Sequence, residues 1–381
     1  MIRTYDFVPV RRWCRRAECF ADLLAGGEGW VPCRSGHIES LDPPDFGDPS
    51  DLVGLRRQVT VGDAFVAALD DVVVDKFCPV PFPVNSYNVF VAPSLALADT
   101  WHDEASHAAL LERRGETGFA TVGGRRLACR LYDDAEPDLR VEPAALLLAS
   151  RFTHSDYAHW MLDLLPRLWA LSLFERSATL PLVVPDATLA PFQQETLRAL
   201  GVTNPLIPLN CRRAHFDRLY LPSFFAPGAL SRVQAQWIGS RLRRVFGVEG
   251  GRAGSRGLLV AGHSGGRGFA DPDALARRLA PLGFETVRPG DLSVAERARL
   301  FAAARVVVAP EGPGNADMLF APPDAALIEV CPAGQASDHF HLLTKLGGQR
   351  YGRVLGTAGE EGLRVDVDRV MAAVVQALRA W

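Results

Sequence analysis

Lysine is nearly absent. Only Lys76 and Lys345 occur, so almost all of the positive charge on 41 Lys and Arg residues is arginine. With 44 Asp and Glu the formal net charge is −3, which excludes a bulk nucleic-acid binder. Beside the abundant alanine, the arginine bias reads as the signature of a GC-rich bacterial genome, not as a binding signal. No uncharged apolar run reaches the roughly 18 residues that a membrane-spanning helix needs. The first residues, MIRTYDFVPVRRWCRR, have no long apolar core, so no signal peptide is expected. The seven cysteines (Cys14, Cys19, Cys33, Cys78, Cys129, Cys211, Cys331) are scattered and form no CxxC pair. A reduced cytoplasmic thiol set is the expectation. The nine histidines form no HxxxH or HExxH, and His339 and His341 point to different sides of a helical pattern, so no metal site is expected. A GxSxG elbow and a Walker A loop are also missing.

What is present is a globular composition, 48% apolar and 22% charged, spread over 381 residues, which is too long for one ordinary core. Two domains are therefore expected. The best boundary is the Gly-rich run VEGGRAGSRG, residues 248–257. Before it, short β-rich runs (YNVFVA, RRLACRLY, LPLVVP) alternate with helical stretches, among them PFQQETLRALG and SRVQAQWIGSRLRRVFG. After it the alternation becomes regular: GLLVAG, DPDALARRLAPLG, FETVRP, LSVAERARLFAAA, RVVVAP, NADMLFA, AALIEV, DHFHLLTKLGG, YGRVLG. Strands alternating with helices predict a parallel α/β sheet. Ser293 and Glu296 predict a capping box at one helix start. The final VDVDRVMAAVVQALRAW is amphipathic, with Val367, Val370, Val374, Leu378 and Trp381 on one side.

Two places could carry chemistry. The stretch HWMLDLLPRLWALSLF, residues 159–174, is periodic like a helix and apolar over most of its circumference, yet His159, Asp163 and Arg167 form one stripe at spacing four. Pro166 is expected to kink it. The stripe is either a narrow solvated face carrying an Asp163–Arg167 pair or a polar edge turned to a cleft. The second place is the edge of the parallel sheet, where ligands bind beyond the strands' carboxyl ends. His263, Arg267, Arg288, Glu311 and Glu329 all follow or end such strands. The turn EGPGN, Glu311 to Asn315, stands out there. Gly312 and Gly314 allow close backbone approach, Pro313 lies between them, and Asn315 suits a helix N-cap, so the turn could hold a phosphate. Glu311 at the rim could accept ribose or sugar hydroxyls. A plain structural reading, glycines needed only for tight packing, stands beside this one. GPGNAD also nearly matches the dinucleotide fingerprint, with Glu329 as its acid, but Asp317 replaces the third glycine and too little chain follows.

YAHWMLDLLPRLWAL and LSVAERARLFAAARVVVAPEGPGNADMLFAPPDAALIEVCP together resemble glycosyltransferase family 61. That family pairs a (N)YxHWLL(D/E)xLPRL helix with a later run ending in HGAGLxNxLFxPpgaxVIEl. The order matches, HLLTKLGGQRY included, and the resemblance covers Val84 to Gly356. It implies an α/β, GT-B-like fold of two Rossmann-like lobes with parallel sheets and an interlobe cleft. It implies an inverting, metal-independent glycosyltransferase with no cofactor beyond a nucleotide-sugar co-substrate, UDP-linked by expectation. The acceptor would be a glycan, lipid-linked or protein hydroxyl, in bacterial capsular or surface polysaccharide synthesis. A cytoplasmic location is implied, with peripheral association at the inner membrane face left open. The implied domains are an N-terminal extension (1–83) joined to the first lobe, an acceptor-binding lobe (84–247), a linker (248–257), a nucleotide-sugar-binding lobe (258–363) and a C-terminal helix (364–381) free to pack back onto the first lobe. The implied general base is Asp163 or His159, with Asp156 behind them and Arg167 structural. The implied donor-binding residues are Arg267, Glu311, Gly312, Pro313, Gly314, Asn315 and Glu329.

The departures matter. Glu311 stands at the family's His, Asp317 at its Asn, and VAGHS replaces the strand end that carries its first arginine. A catalytically silent relative that binds sugar or a partner protein is therefore the alternative reading, and an NAD(P)-binding protein a minor one.

Overall fold

The computed structural model describes the chain except for residues 1–3, 9, 26–27, 78–85, 93–94, 98–118, 123–124, 129–135, 150–155, 176, 187, 212, 224–230, 251–253, 255, 264–267, 335–336 and 381. Two compact units emerge. One comprises Met1–His37, Gly62–Leu189 and Val202–Ala226; the other comprises Ile38–Val61, Ala190–Gly201 and Pro227–Trp381.

The first unit is built on one mixed sheet. Its main path runs Leu206–Pro208, Leu182–Val184, Ala145–Leu147, Arg213–Pro222, Ala64–Phe77, Ser86–Ala92, Leu95–Leu97, Thr4–Val8, Phe119–Val122, Arg125–Ala128. Parallel pairing holds at the Leu206–Arg213 end, but the long strand Ala64–Phe77 runs antiparallel to Arg213–Pro222, Ser86–Ala92 and Gly29–Arg34. The wholly parallel first lobe expected from the sequence is thus corrected. The connection between residues 77 and 86 is too short for the crossover that parallel neighbours require, so a hairpin forms. The core lies along these strands, including Leu69, Val72, Ala145, Leu147, Val183, Phe216, Leu219 and Leu221.

The second unit holds the regular α/β pattern. Its sheet runs Phe284–Val287, Arg256–Val260, Ala304–Pro310, Ala326–Pro332, Arg350–Gly359, Gly362–Arg364. The first five strands are parallel and the last is an antiparallel edge. Helices Pro272–Leu279, Val294–Ala302 and His339–Gly347 connect them, with Gly283 and Gly348 closing at positive φ of 79° and 82°. The predicted capping box is present: the Ser293 hydroxyl accepts from Glu296 N–H, and the Glu296 carboxylate accepts from Ser293 N–H at 2.8 Å.

Four segments fall elsewhere than the sequence suggests. Residues 191–201 and 231–247, read as first-lobe helices, belong to the second unit. The Glu195 carboxylate accepts from the Val294 and Ala295 N–H groups at 2.8 and 2.9 Å, filling the orphan donors at that helix start. Arg243 donates to Leu319 O at 2.7 Å. The unit division therefore does not coincide with the 248–257 run. Residues 38–61, read as part of a first-lobe extension, also join the second unit. Their Pro/Asp-rich loop sends Asp45 to Lys345 and to Tyr351 N–H at 2.8 Å. Asp51 pairs with Arg369, and its carbonyl takes the Arg353 guanidinium. Phe46 bridges to Gly352, where any side chain would overlap it. Finally, helix Val367–Arg379 buries Val370, Ala373, Val374 and Ala377 in the second unit's own core; Trp381 lies outside the described residues. No disulfide links the described cysteines, and Cys78 and Cys129 lie outside them. No helix among the described residues is long and apolar enough to cross a membrane.

Lys345 is 6% exposed, so removing its carboxylate partner strands a buried charge. Asp45→Ala is expected to lower unfolding free energy by about 3 kcal/mol in urea titration. A loss under about 1 kcal/mol would show that residues 38–61 contribute little to the second unit.

Candidate functional site

The stretch at residues 157–173 is one helical rod of three characters: an α turn Tyr157–His159, a π segment Trp160–Leu164 and a 3-10 segment Leu165–Leu173. Asp156 starts it, its carboxylate accepting from His159 N–H at 3.0 Å. The rod buries Trp160, Met161, Leu164, Leu165 and Leu168, as its apolar girth predicts. Pro166 sits where π becomes 3-10, a junction that tolerates its missing N–H. The solvated-face reading of the polar stripe is excluded, because Asp163 and Arg167 are 2% and 0% exposed. They form an ion pair at 2.8 Å, and Arg167 also donates to Leu148 O at 3.4 Å. Burial holds the Arg167 guanidinium below its ordinary pKa, with the Asp163 charge opposing. His159, one turn earlier, is only half buried.

In the second unit the sheet edge assembles most of the other predicted residues. Strand Ala304–Pro310 ends in a turn whose Glu311 N–H still donates to Val330 O at 2.8 Å. The Glu311 carboxylate accepts from Ser337 N–H at 3.1 Å, which ties it to the loop after the next strand. Gly312 and Gly314 are buried, and a β-carbon at either would overlap the imidazole of His263. The close approach that these glycines permit is therefore filled by a side chain of this unit, which gives the tight-packing reading physical content. His263 is held there by an Nε2 contact of 2.9 Å to Pro310 O. Beside it opens a pocket of about 340 Å³ at the carboxyl ends of Arg256–Val260 and Phe284–Val287. His263, Phe269, Arg288, Asp291 and Glu361 are among its lining residues. Arg267 lies outside the described residues.

Two expectations for this edge are corrected. Asn315 does not cap a helix. It lies inside the 3-10 turn Pro313–Leu319, 1% exposed, and its amide donates to Glu329 Oε1 at 2.9 Å. Glu329 does not face a ribose. It is fully buried and also accepts from Tyr351 Oη at 2.7 Å, because its side chain turns under the sheet edge. The fingerprint's acid is thus spent inside the unit, which removes the support for a dinucleotide site. Burial pushes the Glu329 carboxyl up to about 7, with the Tyr351 hydrogen bond opposing and the Glu311 charge adding. Burial also drives the Tyr351 phenol upward. His341, fully buried with its ring centroid 5.0 Å from that of Tyr351, is driven down to about 4 by burial and then by Lys345. Sequence reasoning missed Tyr351, Asp291 and Glu361. Tyr351 starts a strand, and only the register with Ala326–Pro332 brings it near Glu329. Among the described residues, no group of three or more His, Cys, Asp or Glu side chains is arranged to hold a metal ion.

Residues 157–328 match the family model Glycosyltransferase 61, a span that runs from the start of the helical rod to Ile328, the residue before Glu329 in strand Ala326–Pro332. No curated protein matches the chain.

If the glycines make room for His263, Gly314→Ala should cost about 1–3 kcal/mol, and most of that cost should vanish in a His263→Ala background. Equal costs in both backgrounds would mean the imidazole is not what the glycine accommodates. A second expectation concerns pH. The folded pKa of Glu329 lies above the ordinary 4.5, so its contribution to stability is full below about 4.5 and is lost as pH rises to about 7. That of His341 lies below the ordinary 6.5, so its contribution is full above 6.5 and is lost as pH falls to about 4. The two slopes oppose each other. Relative to the parent, Glu329→Gln should gain stability from pH 4.5 to 7, and His341→Phe should lose it, each by about 3 kcal/mol at the limit. Urea unfolding at pH 5 and pH 7 checks both signs.

Proposed function

Because residues 157–328 belong to glycosyltransferase family 61, we propose that the protein is an inverting, metal-independent glycosyltransferase of GT-B type. In this reading it moves a sugar from a nucleotide-sugar donor, UDP-linked by expectation, to a hydroxyl on a glycan, lipid-linked or protein acceptor. The proposed setting is cytoplasmic bacterial surface polysaccharide synthesis. The observation that carries the donor site is the 340 Å³ pocket where two parallel strands end, with a cation and two carboxylates in its lining. Arg288 would face the diphosphate, while Asp291 and Glu361 suit ribose hydroxyls. Glu311, a carboxylate, suits sugar hydroxyls and not phosphate.

The proposed base takes the acceptor proton as the oxygen attacks the anomeric carbon, and the bond to the diphosphate oxygen breaks with its electron pair leaving on the nucleotide. Of the two candidates, His159 is the more accessible, while Asp163 is committed to Arg167 and suits a supporting part. A second reading, a sugar-binding relative without turnover, draws on the turn already being filled by His263 and on VAGHS standing where the family carries arginine.

Calorimetry against UDP, GDP and their sugars tests the donor site. Binding is expected, and Arg288→Ala should weaken it about tenfold or more. His159→Ala should lower turnover by about 10²–10⁴-fold while donor affinity stays near that of the parent, and EDTA should leave turnover unchanged. Binding of a nucleotide sugar with no turnover on any acceptor would favour the silent relative. No binding of either nucleotide class would sink the donor reading.

A further inference from the structure

Beneath the glycine turn runs an unbroken line of hydrogen bonds. Tyr351 Oη donates to Glu329 Oε2 at 2.7 Å, and Asn315 Nδ2 donates to Glu329 Oε1 at 2.9 Å. The same amide donates its second hydrogen to Pro310 O at 3.2 Å. Pro310 O also takes the His263 Nε2 contact at 2.9 Å. A carbonyl only accepts, so Nε2 of His263 carries a proton. One end of the line is a fully buried acid, and the other is a wall of the pocket.

We infer that Glu329 and Asn315 are positioning residues for His263, fixing its ring orientation and the proton on Nε2 through the shared Pro310 carbonyl. The inference rests on the donor-site reading, since it gives the buried line a purpose at that pocket. Three features carry it. First, among the described residues Glu329 hydrogen-bonds no cation: its partners are Asn315 and Tyr351, with Cys331 on its own strand and the Glu311 charge nearby. A buried carboxylate in that setting is costly compared with an apolar residue of the same size. Lys345, on the adjoining helix, is committed to Asp45, and Arg353 to the carbonyls of Asp51 and Val53. Second, both hydrogens of the Asn315 amide are used, one on the acid and one on Pro310, so its rotamer is fixed from two sides. Third, the His263 ring lies against Gly312 and Gly314 and is tethered at Pro310, so it is bounded on one face by glycines and at one nitrogen by the carbonyl.

The resulting ring state has a chemical meaning. With the proton held on Nε2, Nδ1 is an acceptor in the neutral imidazole and becomes a donor only when the ring takes a second proton. Nδ1 lies buried beside Gly314, so a proton added there would sit inside the turn and not in the pocket.

Selective 15N-histidine NMR tests the positioning, with the His263 signal assigned through His263→Gln. The parent should show Nε2 protonated. Glu329→Ala and Asn315→Ala should lose that tautomer preference and weaken UDP binding about three- to tenfold, the worth of one hydrogen bond. Glu329→Gln can accept from Asn315 and donate to Tyr351 Oη, so it should restore both readings to within about twofold of the parent. Circular dichroism and melting temperature confirm that each variant is folded. If Glu329→Ala does not fold, Asn315→Ala, which removes only the amide, decides the question. Folded Ala variants that keep the parent's His263 signal would overturn the inference. A parent that binds no nucleotide would overturn the donor reading instead, and the NMR comparison would still judge the positioning.

Discussion

The carbonyl of Pro310 is where the parallel sheet of the second unit stops and its chemistry starts. A strand that ends at a buried edge leaves an acceptor with two lone pairs and no further partner in the ladder. Here both are taken by side chains, Asn315 from beneath and His263 from the pocket. That one oxygen decides which nitrogen of His263 bears hydrogen, why the residues at 312 and 314 are glycine, and why Asn315 turns inward. The turn EGPGN is therefore better described as a socket for an imidazole than as a bare cradle of amides.

The acids paired in the interior fall into two kinds. Asp163 and Asp51, both buried, and the exposed Asp45 each face a guanidinium or ammonium, and each pins a piece of chain whose sequence gives little hint of where it packs. Glu329 is different. Among the described residues it is held only by neutral donors, and burial raises its carboxyl to about 7. Groups poised in that way gather at functional sites, where a titrating proton is useful, more often than in inert cores.

Sequence patterns revealed much of the second unit. Alternating apolar runs, the Ser293–Glu296 box and the glycines at 283 and 348 are local signals, and each corresponds to an observed element. The first unit was less legible because its central strand, Ala64–Phe77, pairs with Arg213–Pro222, more than a hundred residues away. The excursion at 38–61 was illegible for the same reason: its anchors are Lys345, Tyr351, Arg353 and Arg369. At the site, periodicity found the stripe on the helical rod but could not tell a wet face from a buried ion pair. The position of Glu329 at a strand end suggested a ligand contact. Only Tyr351, brought near by register, shows that the acid points inward.

Residues 38–61 leave the first unit's sequence block and complete the second unit from the far end of the chain. Asp45 and Lys345 stand 300 residues apart in sequence. Such a closure adds only modestly to equilibrium cost, because loop entropy grows with the logarithm of length. Its effect on timing is larger. On the ribosome, the strand beginning at Ala64 follows immediately, while the partners of the 38–61 segment emerge only some 300 residues later. Until then the carboxylates of Asp45 and Asp51 and the ring of Phe46 have nothing to bind. The second unit therefore cannot complete its native contacts until the stretch from Lys345 to Arg369 has been made.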